Sequence, residues 1–360
     1  MSENNFQNGS QNSENNVNDT FSEPGVTAGS APYVTFVPYG YTLNTYREKQ
    51  KIRKTALAAG CCFLAALGIM FFWSFIYLFV MSRLGFTTQK AREIISDPAV
   101  LQIVQVVIST LTFTLPFIVI YKSFGYRISE LVPLKKPKGD NLAALFFLGI
   151  SFCAFANIAT SQASYFFESF GIDYNVDYGD NPKGFFGFIL SVIATAIVPG
   201  LVEEFACRGI VLGSLRKYGD AFALITSSAL FGLMHGNFEQ MPFAFTVGLV
   251  LGFLVLKTGS LWLSVAVHVF NNLVSVVFSY LPNSISQQEQ NVIYSLFLAV
   301  CLVLGVLAVA LLSGSEGLFK FRADRLESTN KQRFKWFFTS PIIIVFTVFC
   351  FLESLVYFGG

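Results

Sequence analysis

Charge is scarce in this chain. Asp, Glu, Lys and Arg make up 13% of its 360 residues, about half of the roughly 25% usual in soluble domains. Histidine is scarcer still, with only His235 and His268. The six cysteines, Cys61, Cys62, Cys153, Cys207, Cys301 and Cys350, stand scattered through apolar stretches with no CxxC pair. That spacing offers no disulfide framework, and they read as small core hydrophobes. A net charge of +2 supplies no global basic field, so a nucleic-acid partner is not expected. No internal repeat is visible, which weakens an inverted-repeat transporter reading. The N-terminal stretch lacks the basic, apolar and small-residue order of a secretory leader. The first apolar segment is therefore expected to stay as an anchor.

What is present is apolar. Hydrophobic residues account for 53% of the chain, and Phe alone appears 41 times. Apolar runs recur at about the 20-residue length that crosses a bilayer. Spans are expected near 55–81, 99–121, 142–167, 185–213, 221–240, 242–256, 261–280, 292–312 and 341–358. The reading is an all-α, polytopic transmembrane helical bundle of eight or nine spans over 47–360. Residues 1–46 are a different material, with seven Asn in the first 18 positions. Such a stretch cannot bury enough apolar surface to offset chain entropy and is expected to be disordered. Lys and Arg set the orientation. Starting with the N-terminus inside, 19 fall on inside segments and 4 outside, with Arg208 left within a span. The acidic loop 168–183, which carries Glu168, Asp173, Asp177 and Asp180, suits the outside face.

Ionisable residues within membrane spans are rare and mark function by default. The first such stretch is Val202-Glu203-Glu204-Phe205-Ala206-Cys207-Arg208. Glu204 and Arg208, four apart, share a helix face and can pair. Glu203 points about 100° away and is left without that partner, which suits a general base. The second stretch, Phe231 to His235, ends in Gly236-Asn237. In the third, His268 and Asn272 stack one turn apart on one face. Each stretch taken alone has a plain structural reading: a helix-end acid pair with a snorkelling Arg, an inert buried histidine, or His and Asn as glue between helices. Depth argues against coincidence. At about 1.5 Å per residue, Glu203 and His235 both lie roughly 21–23 Å along their helices from the turn at Lys217–Asp220. His268 lies roughly 16 Å beyond Lys257. Three helices bring an acid and two imidazoles to a similar level, where a polar cluster needs a wet cavity.

Glu203-Glu204-x-x-x-Arg208, Phe231-x-x-x-His235 and His268-x-x-x-Asn272 together resemble the signature of the CPBP intramembrane proteases. That family includes the type II CAAX prenyl endopeptidases and the bacterial proteins once called Abi. The resemblance covers a catalytic core at about 184–280. It implies hydrolysis of a peptide bond in a membrane-associated, perhaps prenylated, protein or peptide at a multi-pass site in a bacterial plasma membrane. By the same resemblance Glu203 acts as base on a water that His235 helps to hold, and His268 and Asn272 stabilise the oxyanion. Glu204 and Arg208 support the turn that aims Glu203, and Phe231 packs the site wall. Glu203, His235 and His268 also make a candidate His₂Glu zinc set. The chain lacks the His-Glu-x-x-His arrangement on one helix, and no obligatory cofactor is expected. Two other readings stand beside this one. A non-catalytic bacteriocin-immunity or scaffold protein could use the same fold, and buried Glu and His also relay protons in transporters. Oligomeric state is not legible.

Overall fold

The computed structural model describes residues 37–139, 141–169, 180–282, 285–314, 320–321 and 326–356. Most of the polar tail and of the acidic loop 168–183 lies outside them. Every regular element among the described residues is a helix: α1 (Leu43–Arg83), α2 (Thr88–Ile95), α3 (Pro98–Ser123), α4 (Ile128–Leu131), α5 (Leu142–Glu168), α6 (Gly184–Tyr218), α7 (Asp220–Leu233), α8 (Gln240–Thr258), α9 (Trp262–Ser279), α10 (Gln287–Leu312), α11 (Asn330–Phe338) and α12 (Pro341–Val356). Among the described residues, seven are long and apolar enough to cross a membrane: α1, α3, α5, α6, α8, α9 and α10. The pair α11–α12, bent by 69° at Thr339–Ser340, makes an eighth when taken as one span. This is an integral membrane protein.

The expected crossing at 221–240 is shorter than foreseen. Helix α7 has 14 residues, about 21 Å at the α-helical rise, and stops before Gly236. The chain turns there with φ +64°, a left-handed conformation that glycine adopts without a Cβ clash. Helix α1 is longer than foreseen. Thr42 caps its N-terminus in a reciprocal bond with Thr45, so residues 43–46 of the expected tail are helical.

Packing follows the rules of a lipid solvent, where apolar side chains gain little by leaving the acyl chains and close backbone approach decides association. The buried face of α1 is built from Ala56, Ala58, Ala59, Cys62 and Ala66, while Phe71, Phe72, Phe75 and Phe79 are exposed. The aromatic rings that are buried interlock: Phe63 of α1 meets Phe117 of α3 at 5.3 Å and Phe346 of α12 at 5.2 Å between centroids. Five of the cysteines are buried and all six are unpaired, as the small-hydrophobe reading requires. At one end of the bundle, Thr55 Oγ1 lies 2.7 Å from the Tyr126 hydroxyl and 3.0 Å from that of Tyr218. The buried Arg333 of α11 donates to the Tyr218 carbonyl at 2.9 Å.

Candidate active site

Helix α6 departs from α geometry twice. Val192–Ile197 and Phe205–Val211 are π turns that bracket Val198–Glu204. Wide turns of this kind occur frequently at functional sites. Between them sits the acid pair. On the facing helix α9, Val269 packs where a Cβ on Gly200 would stand, 2.5 Å away. Only a glycine at 200 lets α6 and α9 approach this closely, and that approach brings His268 onto the acids.

Glu204 is fully buried and Arg208 almost so. Arg208 Nη1 donates to Glu204 Oε1 at 2.6 Å, realising the four-residue pairing. The same oxygen lies 3.0 Å from His268 Nδ1. A carboxylate engaged by a guanidinium accepts only, so Nδ1 carries the proton and the ring is fixed in tautomer and orientation. That leaves His268 Nε2 facing Glu203, whose Oε2 is 3.9 Å away. Glu203 has no bond to Arg208 and keeps 15% of its side-chain surface accessible, against none for Glu204. The two adjacent acids are thus differentiated. One is sealed between a cation and an imidazole, and the other is partly open beside the free nitrogen of that imidazole.

Phe231 of α7 is more than a wall. Arg208 Cζ lies 3.9 Å from its ring centroid, a buried cation–π contact. Both imidazoles meet the same ring edge-to-face, His235 at 5.0 Å and His268 at 6.0 Å. His235 sits just past the end of α7, with Nδ1 2.8 Å from the Phe231 carbonyl. The carbonyl only accepts, so Nδ1 holds the proton and Nε2 of the neutral ring is a free acceptor. Asn272, one turn beyond His268, donates through Nδ2 to the carbonyl of Thr195 at 3.2 Å and accepts from Asn271 Nδ2 at 3.2 Å. Thr195 lies in the first π turn, so the amide ties α9 to an irregular piece of α6.

The structure therefore places Glu203, Glu204, Arg208, Phe231 and His268 in one contact network. His235 joins through Phe231, and Asn272 joins through helix α9. Two participants were not foreseen. Glu204 reaches across to orient His268, an interhelical contact that spacing along one helix cannot reveal. Glu353 of α12 lies with Oε2 2.7 Å from the position a Cβ would take on Gly236, the residue after His235. That oxygen is buried without a hydrogen-bond partner among the described residues. As for metal, no three or more His, Cys, Asp or Glu side chains among the described residues are grouped so as to hold an ion. One nitrogen of each imidazole is already committed, to Glu204 and to the Phe231 carbonyl.

Residues 185–274 match the family model described as type II CAAX prenyl endopeptidase Rce1-like. The chain carries an Rce1-like core. All seven site residues named above from the three motifs fall inside the matched stretch. Two curated bacterial relatives match a similar length. YdiL of Bacillus subtilis, whose name describes a membrane peptidase, is 30% identical over 115 residues, which cover 30% of this chain and 47% of that protein. The membrane-embedded CAAX protease MroQ of Staphylococcus aureus is 26% identical over 117 residues, again 30% of this chain and 47% of that protein. The matches thus span about half the length of these relatives. No solved structure matches. The likeness is to a membrane protease family, and it ends before α10, α11 and α12.

Proposed function

We propose that the protein is an intramembrane endopeptidase that hydrolyses a peptide bond in a membrane-associated protein or peptide. The observation that supports this most is the 3.9 Å gap between Glu203 Oε2 and His268 Nε2, backed by the Glu204–Arg208 pair. A gap of that size lets one water molecule touch both groups. Glu203 takes a proton from this water as its oxygen adds to the scissile carbonyl carbon. The charge that develops on the carbonyl oxygen is met by His268 Nε2–H when the ring is an imidazolium, whose charge the Glu204 carboxylate balances. The second N–H of Asn272 adds a further donor. Preorganised donors of this kind are worth about 10²–10³ in rate each. Glu203 then returns its proton to the leaving nitrogen as the C–N bond breaks, releasing a carboxylate and an amine. His235, with Nε2 free to accept, holds the attacking water from the other side. No step is routed through a metal ion.

The bias of Lys and Arg supports a cytoplasmic N-terminus, and the organisms of both relatives support a bacterial plasma membrane as the setting. The test is a comparison of membrane proteomes from cells expressing the wild-type chain, Glu203→Ala, His235→Ala or His268→Ala at equal abundance. The same uncut polypeptides should accumulate with each variant. The printed names of the relatives bring prenylated CAAX-type proteins into the candidate set, and the comparison detects those as well. A biological effect that survives Glu203→Ala with no change in the membrane proteome would replace this reading with the scaffold or immunity one.

A further inference from the structure

A groove of about 310 Å³ lies between α1 and α3, outside the network described above. Met70 and Trp73 of α1 and Phe113 of α3 form its apolar walls. Its rim is open, for Met70 and Leu101 are exposed on the bundle surface. A purely lipidic groove would be lined by hydrocarbon alone. This one also holds Gln105, Ser109 and Thr112, spaced at i, i+4 and i+7 and hence on one face of α3.

The polar stripe is unusual in how it is left. Elsewhere on the same helix, Thr110 and Thr114 turn back onto the carbonyls of Val106 and Thr110, at 2.7 and 2.5 Å, as hydroxyls in apolar helices commonly do. Thr112 is fully buried, and its hydroxyl has no partner. The side chains of Gln105 and Ser109 bond to no other described residue. Three unpaired polar groups at membrane depth are costly, and a ligand with polar groups of its own would relieve that cost.

The groove leads towards the acids. Gln102 bonds Ser191 at 2.8 Å and Tyr121 lies 3.2 Å from Ser214, so α3 and α6 run side by side in fixed register. Thr112 is ten residues past Gln102, about 15 Å along the helix, and Glu203 is twelve past Ser191, about 18 Å. The inner end of the stripe is therefore level with the proposed base.

We propose that this groove receives an unwound segment of the polypeptide substrate, whose exposed backbone N–H and C=O groups bond to Gln105, Ser109 and Thr112. Non-helical backbone at membrane depth is tolerated only where protein or water satisfies it, and a peptide bond must leave its helix to be attacked. The inference rests on the proteolytic reading and extends it to substrate entry. The experiment uses full-length protein in native membranes, with the triple variant Gln105→Leu, Ser109→Ala, Thr112→Val beside Glu203→Ala. Removing polar groups from a span should leave insertion intact. Processing of the polypeptides that accumulate with Glu203→Ala should slow roughly ten-fold or more in the triple variant, as expected for losing two or three hydrogen bonds. A photoreactive benzophenone residue at position 109, in the Glu203→Ala background, should cross-link to those same polypeptides. Wild-type processing by the triple variant, or cross-links to lipid alone, would overturn the groove while leaving the protease reading intact. No accumulation with Glu203→Ala would remove both.

Discussion

The two adjacent acids make opposite demands on the fold, and a pair of conservative substitutions separates them. Glu204→Gln preserves shape but removes the charge that two donors share, Arg208 Nη1 at 2.6 Å and His268 Nδ1 at 3.0 Å. Arg208 is then left with its charge uncompensated at 1% side-chain exposure. Breaking a buried ion pair by removing one partner costs about 3–5 kcal/mol. The Phe231 ring under the guanidinium stays in place and offsets none of the change, because it serves both forms. At about 2–4 °C per kcal/mol for a chain larger than a small domain, the midpoint of unfolding in detergent should fall on the order of 10 °C. Glu203→Gln touches no cation closer than the 3.9 Å histidine and should move that midpoint by less than about 1 kcal/mol, yet abolish cleavage. Turnover by Glu204→Gln should persist at roughly one-tenth to one-hundredth, since the amide oxygen still accepts from Nδ1. Adding Arg208→Met should restore much of the lost stability, because the uncompensated charge is gone. The assays are a thermal scan of purified protein and the cleavage of a polypeptide found in the membrane comparison. Equal loss of stability for the two Gln variants, or full activity of Glu203→Gln, would refute the division of labour.

Other outcomes follow from single contacts. Gly236→Ala places a methyl against the Glu353 carboxylate, 2.7 Å from Oε2, in a left-handed backbone; it should destabilise by about 1–3 kcal/mol and lower activity by displacing His235, with Glu353→Ala in the same chain recovering part of the stability in a thermal scan. Outside the membrane spans, Glu327 accepts from Thr42 Oγ1 at 2.7 Å and Asn44 Nδ2 at 2.6 Å, and these bonds hold its carboxyl below its ordinary range. A depressed folded pKa means that the contribution is present above the unfolded value of about 4.3 and is lost as pH falls through the lower folded value. Hydrogen exchange at 42–45 and 326–329 should therefore quicken on acidification, and Glu327→Gln should remove that response. Chelation followed by metal analysis of the purified protein should leave cleavage unchanged; a loss restored by zinc alone would return the metal to the mechanism.

Much of this was legible in the residues themselves. Composition and run length gave the helical membrane bundle, and the four-residue spacing of Glu204 and Arg208 gave their pairing. What spacing could not give was any contact between helices. The bond from His268 to Glu204 depends on Gly200 admitting Val269, and nothing local to either motif encodes it. The short α7 was read as a full crossing because Met241, Phe243 and Phe245 continue the apolar run beyond the turn, and hydropathy is blind to a left-handed glycine. The π turns escaped for a related reason: they leave the apolar pattern almost intact while adding a residue to the turn. Glu353 was passed over because a lone acid near the end of an apolar run reads as a helix terminus, and only the packing of α12 places it beside Gly236.

The wide turn at Val192–Ile197 has a consequence for anyone altering this helix. It works as an inserted residue whose carbonyl neighbour, Thr195, is stitched to the Asn272 amide. Excising one residue there would let the rod rewind to ordinary pitch, and everything downstream would swing by about 100°. Glu203 would then aim at a different neighbour although not one of the motif letters had changed, so the placement of this acid is a property of chain length as much as of side-chain identity.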